Sequence, residues 1–413
     1  MILQKYGNTF FSVLNSLLTT KDQTKEGVRF RTKFILTCNP KIITKIFNDK
    51  SMARSKVSQR MVSHVGAKDF LVTQDDDRAK VKLEELKDIL NNRTYKRILD
   101  ELLINLDAFI DNEIDRINKT DLYFIIRNSI QVSFLNHFLG IEYNNLKDKL
   151  KNKGFREKLQ KLNELSLEQG ESLEKLFILN YFYLPMWLKN IFSPYLKEKN
   201  QIFEEVVETI YQEATVKQNS WLAKLKELEK NKMLSHKEVT SEIRGVFINA
   251  NTLAISLVNC LYRLYKNNSI YIENIKKSLN YARFCYMESL RLDPPFKIIS
   301  KEKKSKCPFH RKEIYVISAK YTHLNSLYWE NPNDFNPLRF KNGMNKIEKG
   351  SYIPFGGGER ICTGVAMTMY LAPKILFHLF NKYVFKEMEP PIIGDIGQKL
   401  TQKSVFYTKI LKI

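Results

Sequence analysis

The chain has 413 residues, 43% of them hydrophobic with 26 Phe and 20 Tyr, and a formal net charge of +22. This size and content can bury a large core together with a sizeable apolar ligand, which excludes a disordered or tail-like chain. The positive charge has two readings, a lysine- and asparagine-rich background or an acidic partner such as a redox protein or an anionic surface; the basic residues are scattered and no zinc-finger, RNA-recognition or basic-zipper pattern accompanies them, so nucleic acid is not an expected ligand.

The opening MILQKYGNTFF shows no basic-then-apolar leader, and no transmembrane anchor is expected. Residues 28–37, VRFRTKFILT, alternate and are β-prone, which predicts a strand. Asn39-Pro40 then predicts the cap and first turn of a helix over KIITKIFND. From about 76 to 220 the pattern is mostly helical. Within it, the aromatic-rich stretch 176–196, broken by Pro185 and Pro194, reads either as a loop packed on the core or as a channel wall or membrane-dipping loop. Helices over 198–218 and 237–265 flank a charged linker. The second contains Gly245 to Tyr262 without a single charge, but Asn249, Asn251, Thr252, Ser256 and Asn259 are costly in lipid, which favours a helix buried in protein. Helix continues over 269–292, before Pro294-Pro295. Short β-prone pieces such as 313–319, EIYVISA, follow, then a Gly-rich loop at 356–358 and a last apolar helix from about 363 to 381. The expected class is mainly α with minor β, in one domain over residues 1–413, its sheet drawn from both ends of the chain.

Five cysteines, Cys38, Cys260, Cys285, Cys307 and Cys362, are odd in number and widely spaced. That argues against a disulfide framework and for a reducing compartment, here the cytoplasm. Cys307 and His310 are two candidate ligands, too few for a zinc site.

Cys362 is different because of its surroundings: Phe355-Gly-Gly-Gly-Glu-Arg-Ile-Cys362-Thr-Gly364, followed at once by an apolar helix. A sulfur kept anionic for a metal wants backbone N–H donors and a helix N-terminus nearby. Glycines permit the tight turn and the close approach of a flat ring. Phe355 can cover the sulfur, and Arg360, permanently charged and forked, can pair with a carboxylate on the ligand's edge. The pattern Phe-x-x-Gly-x-Arg-x-Cys-x-Gly resembles the haem-binding signature of the cytochromes P-450, in a form similar to soluble bacterial members. The resemblance implies that family's helical fold with small sheets and a haem b (iron protoporphyrin IX) cofactor. It also implies Cys362 as the iron's thiolate ligand, Phe355 packed beside it, Gly358 and Gly364 at the turn and Arg360 at a propionate. Thr368 and Leu371 stand where the family has a small residue and an acid, which reads as a packing variation.

Further motifs agree. Glu288-Ser-Leu-Arg291 puts two opposite charges on one helix face, and with Arg339 of Asn336-Pro337-Leu338-Arg339-Phe340 it resembles the family's buried structural network. Ile248-Asn249-Ala250-Asn251-Thr252 aligns with the helix that crosses the oxygen-binding face. There Thr252 is implied as the hydroxyl that hydrogen-bonds dioxygen and a proton-relaying water, while Asn251 replaces an acid and cannot titrate. Asn251 either holds a water or is simply a satisfied polar group. Lys301, Arg78 and Lys82 occupy, by position, places where the family contacts the propionates; Lys80 competes with the last two.

The implied activity is a monooxygenase that transfers one oxygen atom of O2 to a small apolar substrate. Ala250, Ile298 and Ile299 would line its pocket. Electrons would come from an acidic ferredoxin or flavodoxin with its reductase, because no flavin or iron–sulfur motif is present in the sequence. The alternatives are a peroxide-driven or non-oxygenating haem-thiolate enzyme, which Asn251 motivates, and a non-catalytic partner-binding relative, which the intact cysteine loop argues against.

Overall fold

The computed structural model describes residues 24–29, 32–55, 69–71, 74, 76–114, 120–141, 194–213, 219–267, 269–303, 312–390 and 407–412. Cys307, His310 and almost all of the aromatic stretch 176–196 lie outside the described residues.

The expected N-terminal strand is a hairpin: β1 (Thr24–Arg29) pairs antiparallel with β2 (Thr32–Thr37). β2 runs into α1 (Pro40–Asn48), whose cap is Asn39, its side chain accepting from the N–H groups of Lys41 and Ile42 with Pro40 in the first turn. β3 (Met52–Arg54) follows. Next come α2 (Asp77–Ile89), α3 (Asn92–Ile114), the short β4 (Thr120–Asp121) and α4 (Leu122–Leu139). α4 is buried on nearly every side, its polar residues Arg127, Ser129, Gln131 and Ser133 included, and ends on Gly140 in the left-handed region (φ 68°).

After α5 (Pro194–Glu213) the expected charged linker is instead a helix, α6 (Trp221–Lys230). Ser220 caps it through the Ala223 N–H, and Trp221, Leu222 and Leu225 bury one face; the intervening lysines and glutamates are its wet side. The long α7 (His236–Asn267) is apolar enough to cross a membrane, with a mean hydropathy of 1.3 in its best window, but 61% of that window is buried inside the fold. The helix expected over 269–292 breaks at Ser278, which caps the second half: α8 is Ser269–Lys277 and α9 is Leu279–Leu292.

β5 (Ile298–Lys303), β6 (Lys312–Ser318), the short α10 (Ala319–His323), the last long helix α11 (Val365–Lys382), β7 (Tyr383–Lys386) and β8 (Tyr407–Lys412) complete the described chain. The larger sheet has the order β1-β2-β6-β5-β3, the smaller β4-β8-β7. The larger unites the two ends of the chain, and the smaller joins residues 120–121 to the C-terminal strands. The β2–β6 pairing is parallel, Thr32 opposite Lys312 through Thr37 opposite Ile317, so a strand from residue 32 aligns one from residue 312. The main core runs from Phe70 to Ile410 and is built chiefly from α3, α4, α7, α9 and α11. A hub on Asp107 of α3 ties the C-terminal end of α11 to that core: it accepts from His378 (2.8 Å), Lys382 (2.5 Å) and the Tyr383 hydroxyl (2.9 Å). Burial works against its charge, but these three donors hold its carboxyl below the ordinary value.

Candidate active site

The cysteine loop is stapled before α11 by its own backbone. The Cys362 N–H donates to the Phe355 carbonyl (3.0 Å), Ile361 to Gly358 (3.1 Å) and Val365 to Cys362 (3.3 Å). Gly358 requires its lack of a side chain twice over. Its φ is +68°, and a Cβ there would stand 2.0 Å from the Phe47 carbonyl oxygen at the end of α1. Gly364 has an ordinary φ of −84° and caps α11. Its part in the site is therefore not conformational freedom, as expected of both glycines, but an N–H that donates to the Cys362 sulfur. Phe355 is half-buried against the main core.

Among the described cysteines, Cys38, Cys260 and Cys285 are buried and Cys362 is exposed. The residue is solvent-exposed, yet protein crowds its thiol. That desolvation raises the thiol above its ordinary value, against the Gly364 N–H and the nearby positive charge of Arg54, which lower it. A bound metal cation reverses the balance, because a coordinated thiol loses its proton outright. The start of α11 favours the same anion.

Beneath the loop lies a closed charge network. Glu288 and Arg291 are fully buried and doubly bonded, Nε to Oε2 and Nη2 to Oε1, each at 2.8 Å. Arg339 reaches Glu288 Oε1 at 3.3 Å, and the Asn336 N–H donates to the same oxygen at 2.9 Å. Arg291 also donates to the carbonyls of His323 (2.8 Å), Pro332 (2.7 Å) and Asp334 (3.1 Å). His323 closes the ring. Its Nδ1 meets the Arg291 carbonyl (3.0 Å) and its Nε2 accepts the Ile353 N–H (2.8 Å), which makes it the neutral, Nδ1-protonated tautomer. Burial accordingly pushes its pKa down to about 3. His323 thereby connects α9 to the strand of backbone leading into the cysteine loop, a role the sequence signals only through the segment His323 to Pro332.

The helix α7 carries the other half of the site. From Glu238 to Phe247 every residue is buried; then Ile248, Asn251, Thr252 and Ile255 become half-buried and Asn249 exposed, with buried turns resuming beyond. An open polar stripe between buried turns is what a helix bordering a cavity leaves. Ala250, expected at the pocket wall, is fully buried in the core, on the opposite side of the helix from that stripe; Ile298 and Ile299 are half-buried. The Thr252 hydroxyl donates to the Ile248 carbonyl (2.8 Å). One turn on, Ser256 bonds the hydroxyl of buried Tyr286 of α9 (2.7 Å), and Tyr286 lies within electrostatic reach of Cys362. α7 and the cysteine loop thus meet across α9.

A cavity of about 90 Å³ beside the loop is lined by Phe47, Lys50, Met52, Lys301, Glu359 and Arg360. Lys301 is nearly buried and pairs in register with Arg54 across β5 and β3. Arg54 was not an expected site residue; a three-residue strand carries no motif that would single it out. Arg78 and Lys82 are turned elsewhere. Arg78 is paired with Glu238 (3.4 Å) and Asp76. Lys82, fully buried, spends its protons on Glu242 (2.9 Å), the Asp69 carbonyl (2.7 Å) and Gln74 (2.9 Å). Residues 78 and 82 sit on the face of α2 opposite residue 80, and it is Lys80, paired with Asp77 at 2.8 Å, that feels the charge of Arg360. Glu242 has its pKa raised to about 7 by burial, against the pull of Lys82.

The donor set suits a haem: one exposed sulfur with an N–H aimed at it, a loop held flat by a glycine that admits no side chain, and Lys301 and Arg360 together for the carboxylates. Among the described residues no group of three or more His, Cys, Asp or Glu is arranged for a metal ion of another kind.

A family model described as cytochrome P450 matches residues 2–406. The chain is similar to CYP175A1 from Thermus thermophilus, with a TM-score of 0.70 and 15% identity over 98% of this chain and 96% of that one. It is also similar to a six-coordinated cytochrome P450 from another strain of the same species, with a TM-score of 0.65 and 15% identity over 91% and 92%. A segment covering 41% of the chain is 27% identical to rat thromboxane-A synthase, and one covering 22% is 34% identical to cytochrome P450 71D94 of Mentha gracilis. These matches span 36% and 19% of the two relatives' own lengths.

Proposed function

The chain belongs to the cytochrome P450 family, and on that premise we propose that it is a haem-thiolate monooxygenase that transfers one oxygen atom of O2 to an apolar organic substrate. The observation that carries this reading is the exposed Cys362, backed by the Gly364 N–H at the head of α11. Bound haem b would supply oxygen activation, which thiolate donation favours.

The chain's own residues supply the rest. Cys362 is the metal ligand; Gly364 and Arg54 stabilise its anionic form. Gly358 holds the loop, and Phe355 shields the sulfur. Arg360 and Lys301 would neutralise the cofactor's carboxylates, with Lys80 in place of Arg78 and Lys82. Glu288, Arg291 and Arg339 keep the loop's support rigid. The Thr252 proton is directed at the Ile248 carbonyl, so its oxygen offers lone pairs and can accept from a proton-carrying water. Asn251 takes no charge at any pH. Half-buried Ile298 and Ile299 suit an apolar substrate. The net charge of +22 suits an acidic ferredoxin or flavodoxin, fed by its reductase, as the electron donor. We place the chain in the cytoplasm as a single domain.

The reduced protein with carbon monoxide tests the reading. A strongly red-shifted, thiolate-type Soret band is expected, and it must vanish in Cys362→His with the fold retained. The neutral Asn251 also favours a second reading, a peroxide-driven enzyme. Turnover with hydrogen peroxide alone, at a rate matching or exceeding that with a donor protein, would select it.

A further inference from the structure

Gln131 is buried within α4, 6% exposed, among apolar neighbours. The serines on either side, Ser129 and Ser133, satisfy themselves on their own helix, donating to the carbonyls of Ile125 and Ser129. Gln131 instead reaches across to α7, where its Nε2 donates to Oδ1 of Asn251 at 3.2 Å. A buried amide held in this way is costly to leave unpaired, so the contact constrains both side chains.

The contact has a polarity. With Oδ1 committed to Gln131, the Asn251 amide keeps its Nδ2 as a donor, and among the described residues none accepts it. The adjacent Thr252 is the complement, since its proton goes to Ile248 and its lone pairs remain. One donor and one acceptor, side by side on the half-open stripe of α7, are what a single water or a small oxygen-bearing ligand can satisfy together.

We propose that Gln131 is a positioning residue that fixes the Asn251 amide as a neutral hydrogen-bond donor beside Thr252 for a water or ligand bound on the half-open stripe of α7. The proposal rests on the haem-thiolate reading. It gives the oxygen side a dipole of fixed sign that pH does not alter, supplied from a helix outside the recognised motifs.

The test is the infrared C–O stretch of the reduced, carbon monoxide-bound holoprotein, because a donor directed at the ligand oxygen lowers that frequency and a lone pair raises it. Gln131→Met preserves the packing and removes the latch; its band is expected to move up, toward that of Asn251→Ala. At a pH high enough to ionise it, Gln131→Glu can only accept, so it turns Asn251 over to donate into α4 and leaves Oδ1 toward the stripe. Its band is expected higher still. An unmoved band in all three variants, or a Gln131→Glu band coincident with wild type, overturns the proposal. A merely structural glutamine would lower the melting temperature and leave the band in place. The failure of the underlying reading looks different: the wild type itself would lack the thiolate-type Soret band.

Discussion

On the sulfur side of the site every charge is answered. Glu288 meets two arginines and a backbone N–H, Arg291 spends its donors on Glu288 and three carbonyls, and His323 is locked neutral between two backbone groups. On α7, the side proposed to handle oxygen, the polar groups are neutral: Asn249, Asn251 and Thr252 on a half-open stripe, with an amide contact to Gln131 and a bond back into the helix. The difference teaches that the two halves solve separate problems. Holding a thiolate in one geometry calls for a buried, fully satisfied lattice, since any unpaired charge there is expensive. Handling water and oxygen calls for polar groups left open, which tolerate substitution in stability but not in orientation.

The comparison predicts a graded series of substitution effects. Cys362→Ala removes the ligand, so the red-shifted band of the reduced, carbon monoxide-bound protein is lost altogether; a retained band would mean another residue binds the iron. Glu288→Ala strands Arg291 and Arg339 in the interior and is expected to cost about 3–5 kcal/mol in denaturant-unfolding free energy, with Glu288→Gln intermediate. Gly358→Ala must give up a positive φ and a contact with the Phe47 carbonyl, a loss of about 1–3 kcal/mol accompanied by poorer haem retention. His323 predicts a pH dependence. Its pKa falls from the ordinary 6.5 to about 3 on folding, so between those values the unfolded chain binds the extra proton. The stability it contributes is complete above 6.5 and declines as pH drops toward 3, by up to about 1.4 kcal/mol per pH unit. Urea titrations from pH 7 to 5 should therefore show a steeper decline in wild type than in His323→Gln. Thr252→Ala should barely change stability but should divert electrons from product to hydrogen peroxide; unchanged coupling would remove Thr252 from proton handling. The smallest effect belongs to Arg78→Gln. Arg78 is itself exposed and buried Glu238 keeps its Ser235 and Gln74 donors, so the loss is about 1 kcal/mol, and haem content should not change.

Much of this was legible in the chain. The cysteine loop is local: ten consecutive residues hold the proposed ligand, the turn glycine and the proposed propionate cation, so one short motif carries the resemblance that points to them. The Glu288, Arg291 and Arg339 set was legible for a similar reason, each member lying in a short recognisable segment. Misreadings came where local pattern was silent or ambiguous. The lysines and glutamates of 221–230 look like a linker until their apolar face is given something to pack on. Arg78 and Lys82 looked like cofactor contacts because their spacing is right; the helix turns both toward Glu238 and Glu242, a choice set by which acids α7 presents.

By itself, the sequence determined the helical class, the cysteine loop proposed to hold the ligand and the neutrality of residue 251, because side-chain chemistry and short-range spacing travel with the residues. The tertiary structure alone decided the parallel alignment of β2 with β6, the convergence of Arg54 with Lys301, and the meeting of Gln131 with Asn251. Those pairs lie from 120 to 280 positions apart. No periodicity encodes such distances; only the packing of α4 on α7, and the sheet that joins the two ends of the chain, bring them into contact.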